Sequence, residues 1–149
     1  MEHRFETFTS LVTNLNRSIR KIKGAEMQSF NLKSPYVSCL YYLFKMGPLT
    51  AKELCDLCAE DKANMSRHID YLEKNEYLIC RTKLQKRYKT PIELTEKGMD
   101  VGEHIANKID HVLFAASEGV SEENRRIMYE SLAIVSRNLQ KISKEYGEG

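Results

Sequence analysis

Residues 49–75 read LTAKELCDLCAEDKANMSRHIDYLEKN, and the fold of the whole chain turns on how they are taken. They divide into two short helices joined by a tight turn, the second opening at Asp61. An aspartate there accepts the orphan amide hydrogens of a first helical turn and suits the positive end of the helix dipole. Beyond it, Met65, Ile69 and Leu72 fall at steps of four and three, which makes one apolar face. Lys62, Ala63, Asn64, Ser66 and Arg67 lie mostly off that face, while Ala51, Leu54, Leu57 and Cys58 give the preceding helix a complementary apolar side. One helix packs and the next protrudes, as in a helix-turn-helix.

Upstream, Phe5, Phe8, Val12, Leu15, Ile19 and Ile22 alternate steps of three and four and predict an amphipathic helix over residues 5–23. Gly24 to Lys33 reads as a polar connector. Ser34-Pro35 then reads as an N-cap followed by a first-turn proline, opening a helix that Gly47-Pro48 stops. That helix is apolar around most of its girth, which predicts an interior position. Downstream, Tyr77–Lys83 and Pro91–Thr95 have strand character and predict a hairpin whose basic tip is Leu84–Thr90. Thr95 caps a helix running to about Ser117, with Gly102, Ile105, Ile109, Val112 and Ala116 on one face. Ser121-Glu122-Glu123 opens a last helix whose seam is Met128, Leu132, Val135, Leu139, Ile142 and Tyr146. These seams outrun what a small monomer can cover and predict a helical dimer interface.

The 149 residues predict one domain, with a winged helix-turn-helix lobe over 34–97 and dimerising helices over 1–23 and 98–146. The fold class is mainly α with a small β-hairpin. A net charge of +2 says little about partners, but its distribution says more. Between Lys62 and Lys89 eight basic residues (Lys62, Arg67, Lys74, Arg81, Lys83, Lys86, Arg87, Lys89) stand against three acidic ones (Asp70, Glu73, Glu76). That segregation is the footprint of a polyanion-binding face on a neutral body. The N-terminus MEHRFETF lacks the apolar core of a signal peptide, and no run suits a membrane span, so the expected location is cytoplasmic.

Cys39, Cys55, Cys58 and Cys80 sit inside apolar patterns and read as reduced core residues. Cys55-x-x-Cys58 has no second CxxC or HxxxH to complete a metal set. His104 and His111 stand two turns apart on one helix, and His3 or Glu26 could join them only through folding, so no metal and no cofactor is expected. Neither a nucleophile–base pairing nor a glycine-rich phosphate loop is present, and an enzyme is not expected. Tyr36, Tyr41, Tyr42 and Phe44 read as core packing; the competing reading makes Tyr36, Cys39 and Leu40 the lining of an effector pocket.

The Leu49-Thr50 lead-in, the Asp61-Lys62…Ser66-Arg67 helix opening, Leu72-Glu73-Lys74 and the run Leu94-Thr95-Glu96-Lys97-Gly98, in this order and spacing, resemble the MarR family of bacterial transcription regulators over nearly the whole chain. The resemblance implies a homodimeric winged helix-turn-helix that binds a pseudo-palindromic operator in double-stranded DNA, represses, and is released by a small-molecule effector, a metal or thiol oxidation. By position it places Lys62, Ala63, Asn64, Ser66, Arg67 and His68 against the major groove and its phosphates. Arg87, flanked by Lys86 and near Lys89, would reach the minor groove. Two departures stand out. Lys86 and Tyr88 flank that arginine where the family carries an aspartate and a second arginine, and Glu76-Tyr77 stands where a glycine is usual. The alternatives are a thiol- or metal-responsive sensor of the same fold, and a protein-interaction winged helix that does not use DNA.

Overall fold

A computed structural model describes residues 4–81 and 89–147. Helix α1 spans Arg4–Met27, followed by one 3-10 turn, Gln28–Phe30; α2 is Ser34–Met46, α3 Ala51–Cys58 and α4 Lys62–Lys74. Strands β1 (Leu78–Cys80) and β2 (Ile92–Leu94) precede α5 (Glu96–Ala116) and α6 (Glu122–Gly147). The chain divides into two units, Met1–Ile109 and Asp110–Gly149.

In the first unit the helix-turn-helix forms as its capping chemistry dictates. Thr50 and Glu53 make a reciprocal capping box on α3: the Glu53 amide donates to Thr50 Oγ1 (3.2 Å), and the Thr50 amide donates to Glu53 Oε2 (2.7 Å). Those hydrogen bonds from Thr50 hold the Glu53 carboxyl below the usual carboxylate range. Ala59 closes α3 in the left-handed conformation, its amide donating to the Cys55 carbonyl. Asp61 then caps α4, accepting from the Asn64 amide at 2.8 Å.

Two expected boundaries move. The connector after residue 23 is helical as far as Met27, because one exposed Gly24 costs a helix only about 1 kcal/mol and the buried Met27 anchors the last turn in the core. At α2 the N-cap is the extended Lys33, without a side-chain cap; Ser34 is already helical and is not the cap. Pro35 at the second position still loses nothing, since that amide is also an orphan.

β1 and β2 pair antiparallel, Leu78 opposite Leu94 and Cys80 opposite Ile92, and Leu49 bridges the far side of β2 through Ile92. The strands are shorter than the sequence predicts, and residues 82–88, including most of the expected basic tip, lie outside the described residues. The core under the sheet is Leu40, Leu54, Met65, Leu72, Leu78, Ile92 and Ile105. As predicted, α2 is the buried helix, with Val37, Cys39, Leu40 and Leu43 inside.

The run LTEKG locks α5 to the end of α4. Thr95 Oγ1 accepts from the Gly98 amide (3.0 Å) and donates to the Glu76 carbonyl (2.6 Å), while Lys97 Nζ donates to the Asn75 carbonyl (2.9 Å) and sits over the Tyr77 ring. Glu76, standing in for glycine, has φ +62°. A side chain there strains the backbone by about 1–2 kcal/mol. Glu76→Gly, at this exposed position, is therefore expected to raise stability by about 0.5–1 kcal/mol despite glycine's larger unfolded-state entropy; an unmoved or lowered urea midpoint would contradict that strain.

Both ends of the chain carry uncovered seams. On α1, Phe5, Leu11, Val12, Leu15 and Ile19 are exposed; on α6, Met128, Leu132, Ile134, Leu139, Ile142 and Tyr146 are exposed, and no α6 residue is buried. Ser121 opens α6 by accepting from the Asn124 amide (3.2 Å). No helix among the described residues is long and apolar enough to cross a membrane.

Candidate nucleic-acid interface

The outer face of α4 follows from its inner one. Met65, Ile69 and Leu72 are each at most 3% exposed and face the core, so the helical period turns Lys62, Ala63, Ser66 and Arg67 to solvent. Two predicted contacts are placed differently. Asn64 is half-buried and its amide is engaged within the protein: Nδ2 donates to Glu60 Oε1 (3.1 Å) and Asp61 Oδ2 (2.7 Å), while Oδ1 accepts from Arg67 Nη2. Reading adenine bidentately would require giving up those bonds. His68 is tucked on the inner flank, its Nε2 3.5 Å from Glu60 Oε2 and its ring edge-on to Tyr36. Three residues beyond the buried Met65, it lies on the side of α4 that faces α2, which is why it does not join the outer face.

Asn64 thus acts on Arg67. A guanidinium has five donors in a rigid fork, and one of them is fixed by an asparagine that is itself held by the Glu60 and Asp61 carboxylates. The arginine is pre-set on the outer face, where its remaining donors match a guanine edge or a phosphate. Sequence reading missed this chain of contacts, although Glu60, Asn64 and Arg67 stand at helical steps of four and three. Lys89 is exposed, whereas Lys86 and Arg87 lie outside the described residues.

Behind the turn lies a cleft of about 550 Å³, lined by Asn16, Ile19, Arg20 and Lys23 of α1, Ser34, Pro35 and Ser38 of α2, and Cys58, Ala59, Glu60, Met65 and His68. Tyr36, Cys39 and Leu40, the expected pocket lining, do not line it. Cys39 and Leu40 are wholly buried, and Tyr36 stacks on Tyr71 at 4.2 Å, because their positions on α2 point into the core rather than toward α1. Lys23 Nζ donates to Ser38 Oγ at 3.2 Å across the cleft. The four cysteines are all thiols; Cys39, Cys55 and Cys80 are buried as expected, and Cys58 is only half-buried. Among the described residues no three His, Cys, Asp or Glu side chains are placed to hold a metal. Glu26 pairs with Lys108, and His104 packs edge-on against Phe30.

A buried-inside, cationic-outside helix presented by a capped turn, next to a two-stranded hairpin, defines a winged helix protein of the kind that meets nucleic acid. Residues 37–112 match the family described as "Winged helix DNA-binding domain", and the chain belongs to that family. Within this class its architecture is the MarR type. It is similar to a putative MarR family transcriptional regulator from Listeria monocytogenes complexed with a 26mer DNA, at 21% identity and a TM-score of 0.82 over 95% of this chain and 94% of that one. It is also similar to S. aureus MepR in its DNA-binding conformation, at 17% identity and a TM-score of 0.80 over 89% of this chain and 98% of that one. An uncharacterized HTH-type transcriptional regulator of Bacillus subtilis, YfiV, is 24% identical over 121 residues, 81% of this chain and 76% of the relative.

Proposed function

We propose that the protein is a cytoplasmic, homodimeric, sequence-specific regulator that binds a pseudo-palindromic operator in double-stranded DNA and represses transcription there, without catalysing a reaction. The observation that carries this reading is the outer face of α4, where Lys62, Ala63, Ser66 and Arg67 are exposed together while the same helix buries Met65, Ile69 and Leu72. A face adapted to a protein partner would put apolar side chains there. Lys89, Lys86 and Arg87 would add phosphate and minor-groove contacts beside it. The DNA-bound Listeria and S. aureus relatives support the same direction.

Dimerisation is supported by the uncovered seams of α1 and α6, since exposed apolar stripes of this extent are association surfaces. A two-fold dimer would set two α4 helices against half-sites about one helical turn apart. The cleft supports a small-molecule effector, its volume falling within the range of about 300–1,000 Å³ typical of ligand pockets.

Selection of duplexes from a random pool by the full-length protein tests the reading. The expected product is an inverted repeat, and recovery of no consensus would refute it. For the assembly, Leu15→Glu together with Leu139→Glu is expected to convert a dimer into a monomer by sedimentation equilibrium and to abolish binding of the inverted repeat. A double variant that still sediments as a dimer would place the interface elsewhere.

A further inference from the structure

We propose that His68 is a protonation-operated clasp on the DNA-binding turn. Charged, it donates to Glu60 and fixes the contacts that set Arg67; neutral, it releases them, so duplex affinity rises as pH falls. The effect on DNA rests on the function proposed above; the clasp itself does not.

His68 Nε2 lies 3.5 Å from Glu60 Oε2, within ion-pair reach, yet it makes no hydrogen bond among the described residues. A buried polar atom left so is costly. The side chains of His68 and Glu60 are only 16% and 27% exposed, which shields the pair from bulk water, while both line the open cleft through which protons can reach them. The ring is also held in place, edge-on to Tyr36 at 5.4 Å, and Tyr36 is in turn stacked on Tyr71. A neutral imidazole donates from one nitrogen only, and can leave that proton on Nδ1. The imidazolium donates from both, and its bond to a carboxylate is charge-assisted and shorter.

The groups around the ring favour one partner. Cys58 of α3, Glu60 of the turn, and Arg20 and Lys23 of α1 line the same cleft, and α2 contributes Tyr36. Glu60 is the carboxylate among them. Asp61, next in the chain, is engaged with the Asn64 backbone and side-chain amides, and Lys23 with Ser38.

Glu60 passes the effect outward. Its Oε1 accepts from Asn64 Nδ2 (3.1 Å) and from the Asp61 amide (3.3 Å), and Asn64 Oδ1 accepts from Arg67. With Oε2 taken by the imidazolium, both carboxylate oxygens are pinned, and Asn64 is kept from turning away from Arg67.

The test measures affinity of the full-length protein for a pool-selected duplex at about pH 6 and 8, between which histidine ordinarily changes charge. Binding is expected to be at least about fivefold tighter at the lower pH, and His104→Gln should keep that difference. His68→Leu should lose it and stay at the weaker value. In His68→Gln a neutral amide donates at either pH, so affinity should stay at the tighter value throughout. Glu60→Gln should also lose the difference. A difference that survives in His68→Leu or Glu60→Gln would overturn the clasp in favour of general attraction between histidine charge and phosphate. Without DNA, nitrogen NMR spectra of the histidine rings at the lower pH should show a slowly exchanging Nε2 proton that is missing in His68→Leu and Glu60→Gln; its absence from the wild type would overturn the proposal by itself. Protein that binds no duplex at either pH would instead refute the DNA-binding reading, while the ring spectra still judge the clasp.

Discussion

Gly98→Ala is expected to destabilise the protein by about 3 kcal/mol, lowering its melting temperature by about 10 °C. A Cβ at this position would lie 1.9 Å from the Tyr77 carbonyl oxygen and 3.1 Å from Leu94 Cδ2. Neither neighbour can give way cheaply. The Tyr77 backbone is held on one side by its amide donating to Leu72 O (2.9 Å) and on the other by Thr95 N donating to its carbonyl (3.1 Å). Gly98 itself is tied to the Thr95 hydroxyl. One methyl would have to separate α5 from the end of α4, breaking the junction that orients the hairpin. Gly24→Ala is the matching control. No atom lies within 4 Å of its added Cβ, so the same substitution there should stabilise by about 0.5–1 kcal/mol. Thermal unfolding of the two variants should therefore shift in opposite directions, and a Gly98→Ala melt within a degree of wild type would show that α5 does not rest on Tyr77 as described.

Arg67→Ala should cost about 1–3 kcal/mol of operator affinity if the guanidinium reads a base, and should lower the salt slope of binding by about 0.9 if it neutralises a phosphate. The two contributions separate in a titration series on a selected duplex between about 50 and 200 mM salt. Folding should be unaffected, since the residue is exposed on the outer face of α4. Asn64→Ala sharpens the comparison. It frees Arg67 without removing a charge, so affinity should fall while the salt slope stays at the wild-type value. Equal slopes and equal affinities for Arg67→Ala and wild type would remove α4 from the interface.

Much of this architecture was legible locally. Asp61, Gly47, Thr95 and Ser121 mark helix ends through hydrogen bonds that span no more than four residues, so their meaning does not depend on the remainder of the fold. The apolar period of α4 likewise declares which face is buried. The Thr50–Glu53 box carried an equally local signal in its T-x-x-E spacing. Ser34 misled because Lys33, a residue with no capping group, was placed by Leu32 and Val37 entering the core on either side of it.

By itself, the sequence determined the order of helices and strands, the separation of α4 into an apolar inner and a polar outer face, and the presence of apolar seams at both ends, because each depends on chain-local geometry with a period of two or 3.6. Tertiary structure alone decided that His68 turns inward against Tyr36, that Gly98 must lack a side chain beneath Tyr77, and that Cys58 lines an open cleft against α1. Those outcomes rest on contacts between segments more than twenty residues apart in the chain, such as Gly98 with Tyr77 and His68 with Tyr36. No periodicity encodes such distances, and only the packing of one element against another fixes them.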